Sequence, residues 1–141
     1  MAVLLVQFVA GGKGEGKTKK MLEIANADMK RTDGHLVFID DDRRHMFDLH
    51  YDIRFVETGK QLLSNYREFV GFILGILSQD SDIKHIYVDG VTNIIENIDN
   101  EALVKLKKRL SEISEQSAVD FVLCINWDKN ILPEEIKEVL I

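Results

Sequence analysis

The segment Gly11-Gly12-Lys13-Gly14-Glu15-Gly16-Lys17-Thr18 constrains this chain more than any other part of it. Its glycines allow backbone angles closed to residues with a Cβ, so the segment can turn tightly and present its N–H groups. Val3 to Ala10, just before it, is a short unbroken apolar run of the kind that forms a central strand buried on both faces. After it, Met21, Leu22, Ala25 and Met29 recur at helical spacing to about Lys30, until Thr32-Asp33-Gly34 breaks the pattern. A glycine turn between a buried strand and a helix N-terminus gathers bare amides and about half an elementary positive charge at one point. The pattern G-x-x-x-x-G-K-[ST] is met in full by Gly11, Gly16, Lys17 and Thr18, with Gly12, Lys13, Gly14 and Glu15 filling the cradle. Such a loop holds the phosphates of a nucleotide: Lys17 reaches the β- and γ-oxygens, and the Thr18 hydroxyl ligates Mg²⁺.

The remaining pattern alternates strands with helices. His35 to Ile39 reads as a second buried strand, closed by Asp40-Asp41-Asp42, and Ile53 to Val56 as a shorter third. From about Gly59 to Gln79 the positions Leu62, Leu63, Tyr66, Phe69, Val70, Ile73 and Leu77 predict one long helix. Phe72, Leu74 and Ile76 widen its stripe almost all round, so deep burial is expected. Gly71 and Gly75 lie one turn apart on it, which reads as tight packing inside the chain, with a self-association face as the alternative. Ile83 to Val88 is the next strand, and Leu103, Leu106, Leu110 and Ile113 mark an amphipathic helix with a charged outer face. Val119 to Ile125 is a last buried strand, and Pro133 opens a short helix with Ile136, Val139 and Leu140 inward. This order predicts a three-layer α/β/α sandwich with a mostly parallel sheet of about five strands, as one domain over residues 1–141.

Composition narrows the function classes. A net charge of −6 argues against general affinity for nucleic acid or anionic membrane, since such binding rests on many Lys and Arg contacts to phosphate. Cys124 is the single cysteine; it has no internal disulfide partner and lies in an apolar run, which reads as a buried thiol and a reducing, cytoplasmic setting. Met1 to Val6 lacks a basic leader and a small-residue cleavage site, so it reads as a strand rather than a signal peptide. Phe69 to Leu77 is about half of the ~20 apolar residues a membrane-spanning helix needs. No membrane insertion is expected.

A phosphate cradle for a triphosphate requires a second part, an aspartate at the end of a hydrophobic strand that holds the Mg²⁺ shell from across the site. His85-Ile86-Tyr87-Val88-Asp89 supplies it, at the strand edge where open α/β sheets bind ligands. A turn or helix-cap role for Asp89 is the alternative, because Asp89-Gly90 is also a turn signal. Together, Gly11 to Thr18 and Ile86 to Asp89 resemble the Walker A and Walker B motifs of the P-loop NTPase superfamily. The strand and helix pair between them is similar to the RecA-like and thymidine-kinase-like branch, which implies that the two motif strands are separated by a third, here Val119 to Asn126. The resemblance implies ATP or another nucleoside triphosphate with Mg²⁺ as ligands, Lys17 and Asp89 as catalytic groups, Thr18 and Asp89 as metal ligands, and Asn126 as a γ-phosphate sensor. A plain turn role for Asn126 stands beside that.

The chain also departs from that branch. Many members carry a catalytic Glu directly after the Walker B Asp, and here the position is Gly90. A base would have to come from Glu57, Glu96 or Asp40-Asp41-Asp42, although Asp40 and Asp42 also read as turn caps. Arg43 and Arg44 could meet phosphate in the same chain or a neighbour, or simply neutralise the adjacent aspartates. The partitioning-ATPase lysine is absent from position 12, and Asn126-Trp127-Asp128-Lys129 does not supply the guanine motif Asn-Lys-x-Asp. Trp127 reads as packing, with stacking on a base as the alternative. The leading expectation is a Mg²⁺-dependent NTP-binding protein, a slow or partner-activated NTPase working as a homo-oligomer or with a protein partner. A nucleoside or small-molecule kinase is the alternative, as is a nucleotide-binding module without turnover.

Overall fold

A computed structural model describes residues 5–12, 14 and 16–141. The expectation of a strand rather than a leader at Met1 to Leu4 lies outside the described residues, as do Lys13 and Glu15; the strand expected from Val3 has the described Leu5 outside it and runs from Val6.

Five parallel strands form one sheet: β1 (Val6–Ala10), β2 (His35–Asp40), β3 (Arg54–Glu57), β4 (Ile83–Val88) and β5 (Asp120–Ile125), in the order β1-β5-β4-β2-β3. The strand that carries the glycine loop is thus separated from the Asp89 strand by β5, the arrangement the RecA-like resemblance implies. Helix α1 (Lys17–Arg31) covers one face, where Met21 and Ala25 pack on Val9, Leu36, Phe38, Tyr87, Val122 and Cys124. Helices α2 (Tyr66–Ser78) and α4 (Asn100–Ser117) cover the other, over Phe8, Val37, Ile39, Ile86, Val88, Phe121 and Leu123. The two short helices are α3 (Val91–Ile94) and α5 (Glu134–Lys137). Strands sandwiched this way are apolar at nearly every position, which is why their sequence runs do not alternate.

Helix α4 follows its sequence pattern closely. Leu103, Leu106, Leu110 and Ile113 are fully buried, each contributing ~1.5–3 kcal/mol. Its start is fixed by Asp99, whose carboxylate accepts from the Ala102 amide at 2.8 Å, and its end by Ala118 in the left-handed region at φ 55°.

Helix α2 corrects two expectations. It begins at Tyr66, not near Gly59. Asn65 accepts from the Glu68 amide at 3.0 Å while Glu68 accepts from the Ser64 amide at 2.6 Å, a reciprocal cap that stops the helix from extending backward. Before it the chain runs beside residues 94–96, with Leu63 N–H donating to the Ile94 carbonyl and Glu96 N–H to that of Leu63. The helix is also not buried all round. Phe69, Val70 and Ile73 face the sheet, whereas Leu74, Gly71 and Gly75 are exposed. A Cβ added at Gly71 or Gly75 would meet nothing within 4 Å, so internal packing does not account for the pair. Each exposed mid-helix glycine costs roughly 0.5–1 kcal/mol relative to alanine.

Among the described residues, no helix is long and apolar enough to cross a membrane.

Candidate functional site

The C-terminal ends of β1, β4, β2 and β5 open into a cleft of about 640 Å³. Gly14, Gly16, Lys17, Thr18, Asp40, Asp41, Asp42, Arg44, His45, Asp89, Gly90, Asn93 and Asn126 line it. Gly11 and Gly12 lead into it from the end of β1.

The glycines do what their chemistry allows. Gly11, Gly14 and Gly16 have φ of 154°, 85° and 79°, a region that strains any residue with a Cβ. Gly16 is the N-cap of α1 and offers no side-chain cap. The first bond of the helix runs from the Lys20 amide to the Gly16 carbonyl at 3.2 Å, so the amides before it have no helical partner. No acidic residue sits in that first turn, and Lys17, Lys19 and Lys20 do. Cations there oppose the helix dipole by roughly 0.3–1 kcal/mol each, a cost that suits a site for an anion.

Lys17 is neither in the loop proper nor facing solvent. It is the first residue of α1 and only 8% exposed. Its ammonium donates to the Gly12 carbonyl at 2.6 Å. A buried ammonium needs an acceptor, and this backbone oxygen provides one.

Thr18 and Asp89 are 71 residues apart in sequence, and the Thr18 hydroxyl donates to Asp89 Oδ2 at 3.1 Å. The Asp89 carboxylate caps neither the turn nor a helix: the N-cap of α3 is Gly90, which has no side chain. Burial raises the Asp89 pKa, against the lowering effect of the hydrogen bonds from Thr18 and the Cys124 thiol. Cys124 is buried as its sequence context suggests, and burial together with the Asp89 charge pushes its thiol up to about 12.

Asp40 ends β2 directly beside Asp89, whose amide donates to the Ile39 carbonyl at 2.9 Å. It is 4% exposed, and burial, a hydrogen bond with the Asp41 side chain and the Asp89 charge push its carboxyl up to about 8. Asp42 is a turn cap, accepting from the Arg44 amide at 2.9 Å. Arg44 then pairs with Asp42 at 2.9 Å and Arg43 with Glu57 at 2.8 Å, so the first neutralises a nearby aspartate and the second reaches across to β3. Neither Glu57 nor Glu96 lines the cleft.

Gly90 explains why no glutamate follows Asp89. Its φ is +77°, and a Cβ there would stand 2.9 Å from Asn93 Nδ2. Gly90→Ala should therefore lower unfolding stability by about 1–2 kcal/mol in urea titrations, and an unchanged midpoint would show that the turn is not held in that conformation. Asn93 and His45 also face the cleft, which the sequence pattern does not anticipate. The only signal for Asn93 is its place one turn after Asp89-Gly90. Asn126 lines the cleft, whereas Trp127 packs against the core.

The oxygen donors gathered here, Thr18, Asp89 and Asp40, are hard ligands suited to Mg²⁺. Among the described residues, four carboxyl groups and two permanent cations line the cleft; with Asp40 holding its proton at neutrality, the acidic groups still outnumber the cations a polyanion would meet without a metal ion.

No protein-family model matches the sequence. No curated protein is significantly similar to it. Among solved structures, a KaiC-like protein from the hyperthermophilic archaeon Pyrococcus horikoshii is similar with a TM-score of 0.64 and 19% identity. The match covers 95% of this chain and spans 66% of that protein's chain. At such identity the likeness is one of fold: the all-parallel five-stranded sheet between helical layers is shared with that KaiC-like domain.

Proposed function

We propose that this chain is a Mg²⁺-dependent nucleoside triphosphate-binding domain, with ATP as the nucleotide, and a slow or partner-activated NTPase. The observation that carries this reading is the Thr18–Asp89 hydrogen bond beside the uncapped N-terminus of α1. It joins the hydroxyl of the glycine loop to the strand-end carboxylate, next to amides without helical partners. The KaiC-like fold supports the reading as a precedent for architecture.

In this reading the loop amides and those of the first turn of α1 receive the phosphate oxygens. Lys17 leaves the Gly12 carbonyl and swings to the β- and γ-oxygens. Thr18 and Asp89 hold Mg²⁺, which when bound neutralises charge on the triphosphate. Asp40, buried at the cleft beside Asp89, would serve as the base, and Asn126 would orient the terminal phosphate. A carboxyl that holds its proton up to about pH 8 is a poor base at neutrality, which accords with slow unassisted turnover.

Titration calorimetry with ATP and a non-hydrolysable analogue, with and without Mg²⁺, tests the reading directly. Micromolar binding that depends on the metal is the expected result, and silence toward both ATP and GTP would end it. Asp89→Asn should weaken binding by ~10–100-fold with Mg²⁺ and much less in EDTA. Equal weakening in both conditions would remove the metal role assigned to Asp89.

A further inference from the structure

On the face of the sheet opposite α1, helices α2 and α4 leave a groove of about 370 Å³ lined by Tyr66, Arg67, Val70, Lys105, Lys108, Arg109 and Glu112. The outermost stripe of α4 is Glu101, Lys105, Lys108, Glu112 and Glu115, spaced by four and three residues and all exposed. Its middle is basic and its C-terminal part acidic. Within the chain Lys105 and Glu112 are each paired along the helix, whereas Lys108 and Glu115 have no ion-pair partner among the described residues. Lys105 pairs with Glu101 and Arg109 with Glu112, both along the same helix, while Arg67 rests on the Tyr66 ring.

Reversed end for end about a point between Lys108 and Glu112, this stripe is complementary to itself. Lys108 then faces Glu112 of a second helix, and Lys105 faces Glu115. The reverse contacts follow by symmetry, as an isologous interface requires. Helices α2 and α4 both cross back between parallel strands, so they run in the same direction. An antiparallel α4 lying in the groove would bring its acidic end to Arg67, Lys105 and Lys108. It would also pass over the exposed stripe of α2 that continues from Arg67 through Gly71, Leu74 and Gly75. That stripe has open space where side chains would stand, and Leu74 is 40% exposed.

We propose that the α2–α4 face is the interface of a two-fold homodimer, in which α4 of each copy lies antiparallel in the groove of the other as part of a four-helix layer. The charge pattern selects a second copy of this chain as the occupant, and the unused space at Gly71 and Gly75 gives its side chains room.

The test uses two charge-reversed variants of the full chain, Lys105→Glu with Lys108→Glu and Glu112→Lys with Glu115→Lys, followed by sedimentation velocity at high micromolar concentration. The unmodified chain should be dimeric. Each variant alone should dissociate, with the dimer constant weakened by ~100-fold, because like charges then face each other. An equimolar mixture of the two should form a heterodimer, since an acidic stripe then meets a basic one. All four residues are exposed, and circular dichroism melts check that the variants stay folded. A monomeric unmodified chain would overturn the proposal, including one that binds an added acidic helical peptide at this groove. So would a mixture that fails to restore the dimer.

Discussion

Lys17→Ala should lower the affinity for Mg²⁺-ATP by about 100-fold or more and leave the fold standing. Among the described residues, its ammonium is the only permanent cation at the start of α1 that lines the cleft; Lys19 and Lys20 are exposed and do not. Charge-assisted hydrogen bonds to two phosphate groups contribute roughly 1.5–3 kcal/mol each. Against that stands the bond to the Gly12 carbonyl, which must break when the nucleotide arrives and is worth about 1 kcal/mol. The balance is a loss of several kcal/mol of binding. Stability should change little, because alanine removes one backbone contact and also the cost of keeping an ammonium 8% exposed. Calorimetry and a thermal melt on the same preparation separate the two effects. A folded variant that binds as tightly as the original would remove Lys17 from the site.

The parts of this molecule that are legible in its sequence are those where one local pattern has one structural solution. Buried parallel strands show as apolar runs, and all five strands lie on those runs; the ends of β2 to β5 fall within a residue of the runs' own, while β1 starts at Val6, three residues into its run. The glycine loop is legible because its backbone angles exclude other residues, as φ at Gly14 and Gly16 illustrates. Helix α2 is misread because Leu62 and Leu63 continue its period by coincidence, while the signal that matters is polar: Ser64, Asn65 and Glu68 closing a cap. Gly71 and Gly75 look like packing residues because Phe72, Leu74 and Ile76 carry the apolar stripe of α2 almost all round, so its pattern does not mark the side that stays uncovered. The site divides in the same way. Thr18 and Asp89 follow from motifs, but the burial of Asp40, and hence its proton, depends on the register that sets β2 beside β4. The turn of the Lys17 ammonium onto Gly12 depends on the path of the loop, which no residue pattern encodes.

Asp40→Asn should remove much of the loss of stability that rising pH brings and, in the same variant, suppress turnover. The ordinary carboxyl pKa of 3.8 in the unfolded chain rises to about 8 in the folded one, chiefly through burial. The folded state therefore binds a proton that the unfolded state gives up. The stabilisation this provides is complete below about pH 4 and is lost as pH rises through 8, at up to ~1.4 kcal/mol per unit. Asparagine carries no charge at any pH and nearly the same shape, so it escapes that loss. Urea titrations should find the variant close to the original near pH 4 and more stable by a few kcal/mol near pH 9. The Asp89 pKa is also raised by burial, and that dependence remains in the variant, so the difference between the two chains reports Asp40 together with its repulsion from Asp89. The same substitution removes the one buried carboxylate beside Asp89 that faces the cleft, and a positioned base is worth ~10²–10⁴ in rate. ATP turnover should fall by that order while binding of the non-hydrolysable analogue survives. A stability gap that is the same at both ends of the pH range would mean Asp40 does not hold the proton. Undiminished turnover would place the base elsewhere in the cleft or in a partner.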